Sequence, residues 1–251
     1  DSRNSGITVT DKMNFGADSS FAGTITSQGN QDGNDKGDFY YAPPAGFLAL
    51  CTDNLAEPSI SGVEAPENFN TVLYTGTGGT QSITGAGFQP DTTWLKDRTN
   101  AYQHQLYDAV RGATEKILPS TTGIEVTDST GLTSFDSDGI TIGSNVVINT
   151  NTANYVSWNW KANGAGATNE DGSINTTKTS ASTTSGFSIS SYTGTGANAT
   201  VGHGLGIAPK MIIVKRLDVT SSWRIYHVSL GNTKNIILNA TAAEATSSTT
   251  V

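Results

Sequence analysis

Three histidines, at His104, His203 and His227, are the side chains whose chemistry best suits proton transfer or metal binding near neutral pH. Either role needs partners, because a metal takes several ligands and a general base needs a reacting group within hydrogen-bond reach. No second His or Cys lies near any of the three in the sequence, and they do not occupy matching positions in the repeat described below. The sequence therefore predicts structural histidines.

Two acidic segments carry the carboxylates that a cation or a hydrolytic mechanism would need. Asp136 and Asp138 share one tight turn, whereas glycoside hydrolysis requires two carboxylates facing each other across a cleft. Asp32, Asn34 and Asp38 suggest a calcium loop, but the closing Glu of an EF-hand is missing. We predict a turn and a solvated loop, with no catalytic residue, no metal and no cofactor.

Two glycine-rich stretches, Gly76–Gly79 and Gly202–Gly206, resemble phosphate-binding loops only in composition. No Lys-Ser/Thr pair and no following helix accompanies them, so they are predicted to be β-turns. The aromatic residues Tyr40, Tyr41 and Trp158 are candidates for ligand contact, because exposed aromatic rings stack on sugars. Packing in a core or an interface is the alternative role for these three side chains.

The composition of this 251-residue chain favours β structure and excludes some partners. Gly (28 residues), Thr, Ser and Asn are abundant and only 14% of residues are charged, which is typical of short strands joined by turns. The net charge of −8 argues against nucleic acid and an anionic membrane surface as partners, since both bind basic surfaces. Because no apolar run reaches transmembrane length, no membrane insertion is expected. The single cysteine, Cys51, is expected to be a small buried hydrophobe.

One segment of the chain occurs twice. Phe69–Gly78 recurs as Phe187–Gly196, at an offset of 118 positions (187 − 69), and both copies contain Tyr-Thr-Gly-Thr-Gly. After a one-residue insertion the offset becomes 119, which aligns Tyr107 with Tyr226. Tandem modules are common in extended binding and structural proteins and rarer in single-site enzymes. The repeat therefore favours a non-enzymatic function.

Short alternating segments separated by Gly-rich turns predict an all-β fold of tandem antiparallel β-sandwich modules, jelly-roll or concanavalin-like in architecture. In the segment Thr92–Lys96 the alternation places Trp94 on one face and Leu95 on the other. The strands predicted in the two repeats are Thr71–Thr75, Ser82–Thr84, Thr92–Lys96, Gln103–Val110, Gly139–Gly143, Asn154–Trp160, Lys210–Lys215, Trp223–Val228 and Asn235–Asn239. Two further strands are predicted before the repeats, at Ile7–Thr10 and Gly46–Cys51.

Four segments follow from these patterns. Residues 1–61 precede the repeats, 62–161 form the first repeat, 162–186 are a Gly/Ala/Asn/Thr/Ser-rich linker or a long excursion, and 187–251 are an incomplete second repeat. In the second repeat, the segment that corresponds to residues 131–161 would lie beyond Val251. We therefore expect an internal piece of a longer polypeptide, whose second repeat leaves a sheet edge bare.

Several phrases together resemble those of large virion structural proteins of marine tailed phages. In such proteins the end of a SPRY-like, concanavalin-type domain is followed by β-sandwich repeats. The sequence motifs that carry the resemblance are Phe39–Leu55, Tyr74–Gly78, Gly87–Pro90, Trp94–Lys96, Leu132–Gly139, Tyr155–Trp160 and Gly202–Gly206. Residues 1–61 would then be the C-terminal part of the SPRY-like domain.

The resemblance implies a virion structural protein without enzyme activity, located on the particle surface. It implies a tail-fibre-like or appendage component that forms a homo-oligomer such as a trimer, binds other virion proteins and contacts a host surface glycan or protein. Two alternatives stay open, a head decoration or filament scaffold without receptor binding and a carbohydrate-binding, lectin-like module. Function resides in a site rather than in a fold, so the fold by itself does not decide among them.

Overall fold

The computed structural model describes residues 28–49, 54 and 65–246. The chain divides into two compact units, Asp1–Gly62 and Val63–Val251, and each is described by itself. Antiparallel strands dominate, so the predicted all-β class is confirmed. The predicted strand Ile7–Thr10 and the residue Cys51 lie outside the described residues. Among the helices of the described ranges, none is both long and apolar enough to cross a membrane.

The predicted strand Gly46–Cys51 is wrong over its described part, residues 46–49. Phe47 and Leu48 are 69% and 49% exposed, so this apolar run does not enter a core. Ala49 is buried, but its backbone N–H donates to the carboxylate of Asp32, 2.7 Å away. The side chain of Asp32 thus accepts the backbone hydrogen bond that Ala49 would otherwise donate to a neighbouring strand.

The second unit begins with nine strands and two short helices. Alternation predicts six of these strands, while β5, β6 and β7 are additional. The strands are β1 (Phe69–Thr75), β2 (Gln81–Thr84), β3 (Thr92–Asp97), β4 (Gln105–Asp108), β5 (Gly112–Ile117), β6 (Val126–Thr127), β7 (Leu132–Asp136), β8 (Gly139–Ile142) and β9 (Asn154–Trp160). The helices are α1 (Ala65–Asn68) and α2 (Val146–Asn149). Asn145 caps α2, because its side chain accepts a hydrogen bond from the N–H of Val147.

These strands form two antiparallel sheets that enclose a core. The larger sheet has the order β1-β9-β3-β4-β5-β6, and the smaller has the order β2-β8-β7. Side chains from both sheets and from α2 meet between them, and complete burial of each aliphatic one contributes about 2 kcal/mol. The buried cluster consists of Ile83, Leu95, Tyr107, Leu132, Ile140, Ile142 and Ile148.

Residues 162–186, predicted to be a linker or an excursion, contain strand β10 (Lys178–Ser182). β10 pairs antiparallel with β11 (Phe187–Ser191), the counterpart of β1. The N–H of Ala162 donates to Asp91 of the first repeat, and the N–H of Asn163 donates to Ser180 within the segment, so hydrogen bonds hold the segment in place. β11 therefore pairs with the strand before it, whereas β1 pairs with β9, which follows 79 residues after β1 ends (154 − 75).

The last four strands reproduce β3–β6 strand for strand and in the same sheet order. They are β12 (Met211–Val214), β13 (Arg224–His227), β14 (Lys234–Ile237) and β15 (Ala245–Thr246), in the sheet order β12-β13-β14-β15. The pair Thr92↔Asp108 becomes Met211↔His227, and Glu115↔Thr127 becomes Lys234↔Thr246, each residue shifted by 119 (211 − 92). The second copy seen in the sequence is therefore also a copy in hydrogen-bond register.

Candidate functional site

The outer face of the six-stranded sheet carries an aromatic cluster, which we define as Trp94, His104, Trp158 and Trp160. Alternation on β3 places Leu95 in the core and Trp94 on the opposite face, as the sequence predicted. On β9 the same rule places Trp158 beside Trp94 as its direct cross-strand partner. The two indole rings meet edge to face, with centroids 6.5 Å apart and an angle of 84° between their planes.

His104 completes one side of the aromatic cluster. The indole N–H of Trp94 donates to Nδ1 of His104 at 2.9 Å, and the two rings are arranged edge to face. Burial lowers the pKa of His104 below its ordinary value, and the charge of Lys96 lowers it further. A neutral imidazole whose Nδ1 already accepts a hydrogen bond orients the indole of Trp94, which is a positioning role.

Trp160 closes the other side of the cluster. Its ring lies 5.0 Å from that of Phe69 and stacks at 6.1 Å on that of Phe187, the first residue of β11. On β1, Phe69 lies opposite Trp160 and is 38% exposed, and Leu73 lies opposite Val156 and is 61% exposed. The outer sheet face is therefore an apolar and aromatic surface to which the second repeat contributes a ring. Such a surface suits contact with sugar rings or with another protein.

The three aromatic residues predicted for ligand contact lie in two different units. Tyr40 and Tyr41 belong to the first unit, where their rings touch edge to face with centroids 4.7 Å apart. Tyr41 is 79% and Tyr40 is 37% exposed. Trp158 belongs to the second unit and is half-buried between Trp94 and the neighbouring strand β1. Within the predicted set, only Tyr40 and Tyr41 contact each other, whereas Trp158 contacts Trp94.

Each of the three histidines makes a structural hydrogen bond. His104 accepts from Trp94, His203 accepts at Nδ1 from the N–H of Leu205, and His227 accepts at Nδ1 from the N–H of Ser229. His227 thereby caps a short 3₁₀ helix at Val228–Leu230. In the described ranges no three His, Cys, Asp or Glu residues come together as a metal site.

The acidic turns are closed by hydrogen bonds from the chain itself. Asp138 accepts from the backbone N–H groups of Gly85 and Gly87, and Asp136 accepts from the hydroxyls of Ser134 and Thr141. The predicted turn therefore fastens β7–β8 to the loop after β2.

The loop around Asp32 is held in the same way. Its carboxylate oxygens are occupied by N–H donors, which leaves them poorly suited to a cation. The donors are the backbone N–H groups of Asn34, Lys36 and Ala49 and the side-chain amide of Asn54. Burial opposes the charge, but these four donors together lower the pKa of Asp32 to about 2.

The glycine-rich stretch Gly202–Gly206 lines a shallow concavity together with Asp171 and Ile207. A Cβ at Gly202 would stand 1.8 Å from the Oδ1 of Asn169, so this glycine lets one loop pass close beneath another. The stretch forms bends and is not followed by a helix. Close packing of the Asn169 side chain against this position accounts for the glycine at Gly202.

Fold and site together define an all-β protein of tandem antiparallel sheets with an aromatic outer face. Residues 64–251 match the family described as Domain of unknown function (DUF7483), which spans most of the chain, and the protein belongs to that family. No curated protein and no solved structure matches the chain.

For ligand contact the sequence singled out Trp158 but not its neighbours Trp94 and Trp160, and it predicted His104 only as a structural histidine. Alternation does put Trp94 on one face of β3 and Trp158 and Trp160 on one face of β9. Whether these faces coincide depends on the pairing of β3 with β9, which brings together residues 64 positions apart (158 − 94). No local pattern contains that pairing.

Proposed function

We propose that this protein is a virion structural protein, a fibre-like or appendage component that contacts the surface of the host cell. The observation that carries the proposal is the recurrence of β3–β6 as β12–β15 in the same sheet order, with the β3–β4 and β5–β6 registers repeated in full. Repeated modules suit a projecting structure, because each copy contacts mainly its neighbours and adds length to the array. The protein occurs as a homo-oligomer attached to other virion proteins.

The surface chemistry supports the same function. A net charge of −8 with few lysines suits a protein held at high local density on a particle, because like-charged copies resist aggregation. The aromatic cluster gives this otherwise polar chain an apolar surface. Since exposed aromatic rings are enriched where proteins contact partners, we assign host contact to this face.

Immunogold electron microscopy tests the location. Antibodies raised against the chain are applied to marine phage particles whose purified virions contain it by mass spectrometry. We expect gold at the tail, on fibres or appendages. Gold spread evenly over the head would instead support a decoration protein, and intact particles that carry no gold would overturn the proposal.

A carbohydrate ligand is the second candidate function, and the Trp94–Trp158 pair is the observation that favours it. Its test is binding of the chain to arrayed bacterial surface polysaccharides. The Trp158→Ala variant should lose binding, whereas Tyr192→Ala, which removes an aromatic side chain 42% exposed in the second repeat, should retain it. Equal polysaccharide binding by both variants would show that the aromatic cluster is not the carbohydrate-binding site.

A further inference from the structure

Lys96 lies beside the aromatic cluster and faces His104 across the β3–β4 pair. The register of these strands pairs Leu95 with Gln105, so its next step places Lys96 opposite His104. Lys96 is two residues from Trp94 on β3 and therefore points to the same outer face of the sheet. Its charge acts on the imidazole, since it lowers the pKa of His104. A cationic side chain thus stands next to the histidine at the edge of the cluster.

The hydrogen bond with Trp94 fixes which nitrogen of His104 carries the proton. An indole N–H can only donate, so the Nδ1 atom that accepts it is unprotonated. The neutral imidazole therefore carries its proton on Nε2. This Nε2 has no hydrogen-bond partner in the described part of the chain, and it is not among the buried polar atoms that lack one. His104 therefore presents an unused N–H donor to solvent.

The ammonium group of Lys96 is also only partly used. It donates to the backbone carbonyls of Asp97, at 2.6 Å, and of Asn100, at 3.4 Å. An ammonium group has three N–H donors, so one of them is left for a ligand. Lys96 and His104 together offer two hydrogen-bond donors and no acceptor at one side of the cluster.

The charge around Lys96 is positive, although the chain as a whole is acidic. Asp97, the next residue, is only 2% exposed and accepts from the backbone N–H groups of Thr99 and Asn100. Arg98 is exposed and, like Lys96, forms no ion pair within the described ranges. The two cations leave an excess of positive charge beside the aromatic rings. Such a surface attracts an anion.

The second repeat retains the lysine but not its aromatic surroundings. Lys215 corresponds to Lys96 (96 + 119 = 215) and likewise donates to the backbone carbonyl of the following residue, at 2.6 Å. Ile213 takes the position of Trp94, and the position of the histidine holds Trp223. The hydrogen bond between tryptophan and histidine is therefore a feature of the first repeat and is not required by the strand register that both repeats share.

We propose that this part of the outer sheet face binds an acidic sugar, that is, a pyranose ring that carries a carboxylate. The apolar face of the ring packs against the indoles of Trp94 and Trp158, and the carboxylate accepts hydrogen bonds from Nε2 of His104 and from Lys96. A carboxylate fits the two donors better than a hydroxyl, because it only accepts hydrogen bonds and carries a negative charge. This specificity rests on the carbohydrate-binding function proposed above and adds the class of sugar.

Polysaccharide pairs that differ only at the carboxyl group test the proposal. The probes are polygalacturonate, alginate and hyaluronan, each beside its carboxyl-reduced form, in which the carboxylate has become a primary alcohol. Binding of the full chain is measured by biolayer interferometry at low and at physiological salt. We expect an acidic form to bind at least about tenfold more tightly than its reduced form, and added salt to shrink the difference. Equal binding of the two forms, or no binding of any acidic form, would overturn the proposal.

The same measurement separates the acidic specificity from carbohydrate binding in general. Reduced forms that bind as tightly as the acidic forms, and that lose binding in the Trp158→Ala variant, would leave a carbohydrate site without the proposed specificity. No binding of any polysaccharide, acidic or reduced, would contradict the carbohydrate function as well. The location on the particle is decided independently, by immunogold electron microscopy.

Matched lysine variants locate the carboxylate. Lys96→Gln should weaken binding of the acidic form by at least about tenfold and leave binding of the reduced form unchanged, whereas Lys96→Arg keeps the charge and should retain the preference. Lys215→Gln removes the corresponding lysine of the second repeat and should leave both affinities unchanged. Equal effects of Lys96→Gln and Lys215→Gln would overturn the proposal.

A histidine variant tests the second donor without touching the lysine. His104→Phe keeps a ring beside Trp94 but removes the Nε2 donor, so it should also lower the preference for the acidic form. Thermal unfolding followed by circular dichroism shows whether each variant is folded. A folded His104→Phe variant with the full preference of the parent chain would overturn the assigned role of His104.

Discussion

The indole N–H of Trp223 donates a hydrogen bond to the backbone carbonyl of Leu118, 3.1 Å away, and so joins the second repeat to the loop after β5. Trp223 is only 3% exposed. Two backbone hydrogen bonds lie beside this contact, from Glu125 to Leu217 and from Ser221 to Thr122. The two repeats therefore pack against each other and are not independent domains joined only by a linker.

Substitution of Trp223 should uncouple the two repeats. We expect Trp223→Ala to lower the free energy of unfolding by about 3–5 kcal/mol, since a large buried side chain is lost. Trp223→Phe keeps most of the apolar contact and should cost less, although it leaves the Leu118 carbonyl without its donor. Urea unfolding followed by tryptophan fluorescence and circular dichroism measures both variants. A Trp223→Ala curve that superimposes on that of the parent chain would contradict the proposed coupling.

The ion pair between Lys116 and Asp128 should contribute strongly to stability. Its atoms are 2.7 Å apart and the two side chains are 18% and 10% exposed. Burial raises the pKa of Asp128, but its hydrogen bonds from Lys116 and Thr130 lower the pKa by more. Asp128→Asn should cost about 3 kcal/mol, because it leaves a largely buried ammonium group without its counter-ion.

The control for that substitution is the exposed pair of Arg216 with Asp218, whose side chains are 61% and 69% exposed. Asp218→Asn should leave the free energy of unfolding almost unchanged, since solvent screens exposed pairs. Thermal unfolding of both variants beside the parent chain decides the comparison. Equal losses of stability would show that burial does not govern the strength of these pairs.

The loop around Asp32 should be sensitive to acid in a defined pH range. The pKa of Asp32 in the folded chain is about 2, below the unfolded value of about 4. The charged carboxylate therefore stabilises the loop above about pH 4, and this contribution is lost as the pH falls from about 4 to about 2. Amide chemical shifts of Asn34, Lys36 and Ala49 should titrate together with a midpoint near pH 2. A midpoint near pH 4, or an unchanged titration in the Asp32→Asn variant, would contradict this assignment.

Gly139 and Gly112 provide a matched pair of glycine substitutions. Both have positive φ, 145° and 118°, so alanine strains the backbone at either position. A Cβ at Gly139 would also stand 1.9 Å from the carbonyl oxygen of Ile83, whereas one at Gly112 meets nothing within 4 Å. Gly139→Ala should cost at least about 3 kcal/mol and Gly112→Ala about 1–2 kcal/mol. Similar melting temperatures for the two variants would rule out the close approach between β2 and β8.

Within the unit Val63–Val251, the sequence predicted strands most accurately where they are most regular. The predicted segments Thr92–Lys96 and Asn154–Trp160 agree with β3 and β9 to within one residue, because alternation on a strand is a local pattern of period two. It missed β5, in which all residues but Ile117 are only partly buried. The sequence also predicted a strand at Gly46–Cys51 that is absent over residues 46–49. An apolar run does not reveal that the backbone N–H of Ala49 donates to the carboxylate of Asp32 instead of to a neighbouring strand.

By itself the sequence determined the all-β class, most strand positions and the two-copy register, because repeated residues and alternating side chains are properties of neighbouring positions. Only the tertiary structure decided that Trp94 meets Trp158 and that Trp223 joins the repeats. These features depend on which strands become neighbours in a sheet. That choice is made by packing between distant segments, which a local pattern cannot specify.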